Sequence, residues 1–267
     1  MRTHRTRPRA RAAVILPPVA ALALVLGGCG QSPDAATADD RPVSAASPTG
    51  KTPETTTYAK IPALARDTGA ADGGDGTVVH PTAPRPVYDR PGGRQVAVLP
   101  VTELGGPTWV PVVERSGTWS RVLLPSRPDQ AAGWISGEDG LRAARSPYTV
   151  KVDTARRTLT LEKSGRSVGT WKVAVGAANT PTPAGRTFVL AQLAPAKKSP
   201  SPLVIPLGTH SASLDTFGGG PGTVAFHGWP DASVFGKAVS HGCVRVPDAA
   251  LRELSRVPLG TVVLISG

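Results

Sequence analysis

Two cysteines in 267 residues, Cys29 and Cys243, are too few for a fold stapled by several disulfides. Aromatic residues make up only 4% of the chain, and the apolar stretch from Ala12 to Leu26 is broken by Pro17 and Pro18. That stretch falls short of the roughly 20 residues a spanning helix needs, so no permanent transmembrane helix is expected. What the chain does have is 30 Gly, 28 Pro and an apolar fraction of 40%, which predict turn-rich β structure rather than helical bundles.

Arg2, Arg5, Arg7, Arg9 and Arg11 precede the apolar stretch, the layout of a signal peptide over residues 1–28. The stretch ends in Leu26-Gly27-Gly28-Cys29, which resembles a bacterial lipobox. On that reading Cys29 is lipidated, and the protein is exported and held on the outer face of the cell membrane, acting in the cell wall. Cleavage before Cys29 leaves 25 basic against 19 acidic residues, a net charge of +6. Nucleic acid is then a poor partner, and the anionic polymers of an envelope a better one. Cys243 is left without a disulfide partner, and a solitary thiol in an oxidising compartment hints at chemical use.

Residues 29–76 are mostly Ala, Thr, Ser, Pro, Asp and Gly, a composition that reads as a disordered tether. As a flexible coil it would span on the order of 35–40 Å. Between 77 and 145, short β-like runs alternate with turns: Pro86 to Asp89, Gln95 to Leu99, Trp109 to Val113, Trp119 to Leu124, and Gly133 to Ile135. Glu114 to Gly117 reads as a hairpin turn. The order Tyr-Asp-x-Pro, Leu-Pro, Trp-x-x-Val and late Gly-Trp-Ile resembles a bacterial SH3-like barrel. Its Tyr88, Trp109, Trp119 and Trp134 suit either a wall-binding groove or the small core.

From 147 to 267 the runs lengthen, with period-two alternation in Tyr148 to Val152 and Thr158 to Glu162. Further strands are expected at Val168 to Val175, Thr187 to Leu193, Val204-Ile205, Thr223 to Phe226 and Thr261 to Ile265. One helix is predicted, capped by Asp248, with Leu251, Leu254 and Val257 on one side and Pro258-Leu259-Gly260 ending it.

Chemistry concentrates around the second cysteine. His227-Gly228 follows Val224-Ala225-Phe226, and Ser240-His241-Gly242-Cys243-Val244-Arg245 comes shortly after, across a loop containing Pro230, Asp231 and Gly236. His80 and His210 have no suggestive neighbours. A free thiol with a pKa of about 8.5 is only a few per cent thiolate at neutral pH, so a nucleophilic Cys243 needs an imidazole to take its proton. His227 suits that role better than His241, because an adjacent strand can place it independently, its second nitrogen held by a carbonyl such as that of Gly228. The N–H groups of Gly242 and Cys243 are the expected oxyanion donors.

The segments Val224 to Gly228 and Gly236 to Val246, with Val175-Gly176, Thr182-Pro183-Ala184-Gly185 and Phe188 upstream, resemble the YkuD-type L,D-transpeptidase family over about 120 residues. The resemblance implies a β-sandwich-like catalytic domain at 147–267, giving a mainly β chain in which a small barrel precedes it. It implies acyl transfer without a cofactor or metal: Cys243 takes the acyl group of a peptidoglycan stem tetrapeptide, D-Ala leaves, and an amine of a second stem completes a 3→3 cross-link. His227 is the implied base and acid, oriented by the Gly228 carbonyl. His241 shapes the pocket, Ser240 and Gly242 fix the turn, and Arg245 meets a substrate carboxylate or a structural ion pair. Trp229 stands where relatives commonly carry a smaller polar residue, which bears on the donor pocket. Carbapenem-type β-lactams are the expected inhibitors.

Three other readings carry their own signatures. A zinc hydrolase would use a spacing such as HExxH or CxxC, and neither occurs around His227, His241 and Cys243. A non-catalytic wall-binding lipoprotein would not need the reactive residues that are present. An L,D-carboxypeptidase of the same family differs only in using water as acceptor.

Overall fold

The computed structural model describes residues 51–69, 72–137, 139–195 and 199–267. The expected signal peptide, the lipobox with Cys29, and the tether up to residue 50 lie outside the described residues.

The first described strand, β1 (Ala65–Arg66), leads into β2 (Thr77–Pro81), β3 (Arg85–Tyr88), β4 (Gln95–Leu99) and the two-residue pair β5 (Thr102–Glu103) and β6 (Gly106–Pro107). Then come β7 (Val110–Ser116), β8 (Trp119–Leu123), β9 (Ala131–Ser136) and β10 (Leu141–Arg145). They form an antiparallel path in the order β10-β2-β7-β8-β9-β3-β4, with β1 against β9. Alternation explains the register: Val110, Val112, Val122, Ile135, Val87, Ala97 and Leu99 face one shared core. Glu114 to Ser116 continue strand β7, so the hairpin turn falls later than expected, at Gly117, whose φ of +56° suits glycine. Tyr88 pairs with Trp134 across β3 and β9 and meets Trp119 edge-on at 5.2 Å, whereas Trp109 sits apart against His80.

The second half contains β11 (Tyr148–Asp153), β12 (Thr158–Lys163), β13 (Arg166–Lys172), β14 (Val175–Gly176), β15 (Gly185–Phe188), β16 (Val204–His210), β17 (Thr223–Gly228), β18 (Ala238–Ser240), β19 (Val244–Val246), the helix α1 (Asp248–Leu254) and β20 (Val262–Ser266). One sheet runs β13-β12-β11-β20-β15, a second β16-β17-β19, and β14 pairs with β18. The two larger sheets enclose a core of Val150, Val152, Leu159, Leu161, Ile205, Phe226, Val244, Val246 and Ile265, closed by Leu251 and Leu254 of α1. The chain is thus mainly β, with a single α-helix among the described residues. Asp248 is the first helical residue rather than the cap: Pro247 occupies the cap position and makes no side-chain hydrogen bond. Pro suits the start of a helix, where no N–H partner is needed.

The tether expectation is corrected over residues 51–69. Thr55 N–H donates to the Val98 carbonyl and Val98 N–H to the Pro53 carbonyl, while Ile61 N–H and the Ala59 carbonyl bond Arg127 from both sides. Ile61 and Leu64 join the core of the first sheet system, and Thr55 and Thr57 are buried. A segment poor in large apolar residues is held because its backbone groups pair and two anchors reach the core. Phe188 and Leu190, from the second half, are buried in that same core, so the two halves share apolar packing worth about 1.5–3 kcal/mol for each such side chain.

The strap also supplies an ion pair. Asp67 accepts from Arg186 Nε and from the Arg186 terminal nitrogen at 2.8 Å each, with the two side chains 2% and 4% exposed. Gly69 passes so close that a β-carbon there would stand 2.5 Å from the guanidinium. Removing Asp67 leaves the buried Arg186 with only the Asp72 carbonyl at 2.9 Å and the exposed Asp72 carboxylate at 3.9 Å. Asp67→Ala is therefore expected to destabilise the protein by about 3–5 kcal/mol in urea unfolding; a loss below about 1 kcal/mol, the size of a surface pair, would contradict the role given to this contact.

Candidate active site

Strands β17 and β19 run parallel, pairing Phe226 with Val244, His227 with Arg245 and Gly228 with Val246. Side chains alternate across a sheet, so Phe226, Val244 and Val246 enter the core while His227 and Arg245 share the opposite face. Continuing that alternation back from β19, Cys243 falls on the same side as Arg245, level with Ala225 of β17 and two residues short of His227. Its thiol is half-buried and makes no disulfide.

His227 Nδ1 donates to the Gly228 carbonyl at 2.9 Å. A carbonyl only accepts, so the proton sits on Nδ1 and the Nε2 lone pair is left free. Gly228 N–H in turn donates to Ser201 Oγ at 2.7 Å, and Ser201 Oγ–H to the Leu203 carbonyl at 2.6 Å. A β-carbon on Gly228 would crowd Ser201 Oγ at 3.1 Å, which accounts for the glycine. Sequence reasoning missed Ser201, which sits far upstream in a Pro-rich segment and has no motif of its own.

The turn Ser240 to Cys243 is held from several sides. Ser240 Oγ–H donates to the Cys243 carbonyl at 2.5 Å and accepts from Gly242 N–H at 3.1 Å. Thr180 Oγ1–H donates to the Ser240 carbonyl and Thr182 Oγ1–H to the Gly242 carbonyl, each at 2.8 Å, while Thr182 Oγ1 accepts from Gly176 N–H at 2.9 Å. Gly242 has φ +116°, a conformation that favours glycine. The upstream Thr182 and Gly176 therefore buttress the thiol's turn. One expectation is corrected: Gly242 N–H is occupied by the Ser240 hydroxyl, so it is not an open oxyanion donor in this structure.

Arg245 lays its guanidinium over the Trp229 ring at 3.7 Å, and Trp229 meets the His227 ring edge-on at 5.9 Å. Among the described residues no carboxylate pairs with Arg245, and its Nε is buried with no hydrogen-bond partner. The structural ion pair is thereby set aside. His241 is exposed and packs its ring against Phe217 at 5.2 Å. On the Trp229 side an open cavity of about 780 Å³ runs past Pro200, Pro230, Phe235 and Pro247 to Arg252 on α1.

Burial lowers the pKa of His227, outweighing the Gly228 bond that raises it, and the Arg245 charge lowers it further. Burial also raises the pKa of Cys243, against smaller opposing effects of the Ala225 backbone and Arg245. Both shifts favour the neutral pair: an imidazole ready to accept a proton and a thiol that keeps one until attack. An NMR titration of His227 is expected to give a midpoint below the ordinary imidazole value, and the alkylation rate of Cys243 to go on rising with pH past the point where a free thiol levels off. A midpoint above the ordinary imidazole value would show that Arg245 and burial do not control this ring.

A half-buried thiol next to a tightly bonded turn, and a histidine oriented by a backbone carbonyl, thus stand on neighbouring parallel strands. The L,D-transpeptidase catalytic domain family, YkuD, matches residues 147–265. A Bacillus subtilis (strain 168) protein named "Putative L,D-transpeptidase YkuD" is 33% identical over 150 residues, covering 54% of this chain and 84% of that protein. Its Bacillus licheniformis namesake is 33% identical over 156 residues, covering 56% and 87%. The catalytic domain of an E. faecium L,D-transpeptidase, solved by NMR, aligns with 23% identity over 45% of this chain and 96% of that one, at a TM-score of 0.36. The chain belongs to the YkuD L,D-transpeptidase family.

Proposed function

We propose that the protein is a peptidoglycan L,D-transpeptidase that forms 3→3 cross-links through a thioester on Cys243. The observation that carries this reading is the His227 Nδ1–Gly228 bond, which leaves Nε2 free on the sheet face that also bears the thiol. In the first step His227 Nε2 takes the thiol proton as sulfur attacks the carbonyl carbon of the third stem residue. The tetrahedral oxyanion collapses, the bond to D-Ala breaks, and His227 returns the proton to the departing amine. In the second step an amine of another stem attacks the thioester, giving up a proton through His227, and the thiol reforms with that proton.

With Gly242 N–H engaged by Ser240, the oxyanion role falls to the Cys243 N–H together with any donor freed on binding. Arg245, with an unpartnered Nε and a face stacked on Trp229, suits the terminal carboxylate of the tetrapeptide. His241 and Ser240 serve the pocket and the turn. Export, lipidation at Cys29 and action in the wall belong to the same proposal, supported by the N-terminal basic and apolar pattern and by Leu26-Gly27-Gly28-Cys29. The SH3-like region at 77–145 would position the catalytic half toward its polymer. Inhibition by carbapenem-type β-lactams belongs to the same proposal; another L,D-transpeptidase, LdtMt1, has been solved in complex with imipenem.

Mass spectrometry of products from purified stem tetrapeptide tests the proposal. A cross-linked dimer with release of D-Ala is expected, absent with Cys243→Ala and slowed about 10²–10⁴-fold with His227→Ala. Tripeptide without dimer would instead establish an L,D-carboxypeptidase, and turnover persisting in Cys243→Ala would reject the thiol mechanism.

A further inference from the structure

The loop between β16 and β17, residues 211–222, borders the thiol's turn. Ser211 N–H bonds the Gly222 carbonyl and closes the loop's base, and Phe217 and Gly220 exchange backbone bonds at its tip. Phe217 rests on His241, and a β-carbon placed on Gly242 would lie 3.8 Å from Ser211 Oγ. This loop therefore forms one wall of the site, yet it has little apolar anchorage of its own: Phe217 is 54% exposed.

Its anchorage comes from the other half of the protein. Between β8 and β9, Arg127 donates to the carbonyls of Ser211 at 3.4 Å, Leu214 at 3.3 Å and Pro221 at 3.1 Å. Gly222 leaves room for this: a β-carbon there would clash with the Leu214 carbonyl and press on the guanidinium. Two residues on, Asp129 accepts from the backbone N–H and Nδ1 of the fully buried His210 at the root of the loop. The other ring nitrogen of His210 faces the Thr57 carbonyl at 2.8 Å, which ties the strap to the same point. Gln130 donates to the Ala184 carbonyl at 2.6 Å, beside the Thr182 segment that buttresses the thiol turn. Arg127 is itself fixed through its backbone by Ala59 and Ile61 of the strap.

We infer that Arg127 and Asp129, which belong to the first sheet system and touch no reacting atom, are positioning residues that set the 211–222 wall of the site. Three neighbouring carbonyls converging on one guanidinium make a geometry that a single neutral side chain does not reproduce. The role rests on the reading of Cys243 as the nucleophile. It assigns the first half of the protein a direct part in substrate placement, over and above whatever polymer it meets.

The test uses the full chain with Arg127→Ala and two assays. For a stem tetrapeptide, kcat/KM is expected to fall at least about tenfold, with the larger share in KM, as loss of charge-assisted hydrogen bonds implies. Alkylation of Cys243 by iodoacetamide, which needs the thiol but not the wall, is expected to stay within about twofold. Arg127→Lys, keeping the charge and one carbonyl partner, is expected to lose less, about threefold, and becomes the deciding variant if Arg127→Ala does not fold. Equal losses in both assays, or no loss in the first, overturn the inference. A wild type that alkylates but turns over no tetrapeptide rejects the proposed activity on which the role rests, whereas an active wild type with an unaffected Arg127→Ala rejects only the positioning role.

Discussion

The parallel register of β17 against β19 is the constraint on which the site depends. Pairing His227 with Arg245 sets His227, Arg245 and the incoming Cys243 on one face, and Phe226, Val244 and Val246 in the core. A slip of β19 by one residue would turn Arg245 into the core and Val244 and Val246 out of it, while His227 and Phe226 stayed on their own faces. Apolar burial on one side of the sheet thus fixes chemistry on the other. The cost of exposing Val244 alone, about 1.5–3 kcal/mol of lost burial, makes the register strongly preferred.

Around that register the protein spends hydrogen bonds on rigidity rather than on the reacting atoms. Ser201 supports Gly228, which orients His227; Thr182 supports both Gly176 and Gly242; Thr180 supports Ser240. Each is a short polar side chain satisfying buried backbone groups that would otherwise be unpaired. The result is a thiol turn and a histidine each fixed by hydrogen bonds of its own.

Much of this was legible in the sequence because it is local. The Ser240 to Arg245 run names its own turn, His227-Gly228 implies a ring held by the next carbonyl, and period-two patterning marks β11 and β12. What could not be read is long-range. Ser201, Thr180 and Arg127 reach the site from distant positions, and His210 looked featureless until Asp129 and Thr57 closed on it. Residues 51–69 looked like a tether because composition measures apolar content, whereas this segment is held mainly by backbone pairing and the Asp67–Arg186 contact. Gly242 N–H reads as open in the sequence because no motif announces its bond to the Ser240 hydroxyl.

The central claim is that His227 and Cys243 act as one unit across β17 and β19. Peptide mapping by mass spectrometry after timed exposure to a carbapenem measures this most directly, because acylation needs the thiol and its proton acceptor but no second stem. The account predicts a single adduct on Cys243, formed at least about a hundredfold more slowly in His227→Ala. An adduct on another residue, or a rate indifferent to His227, would contradict it.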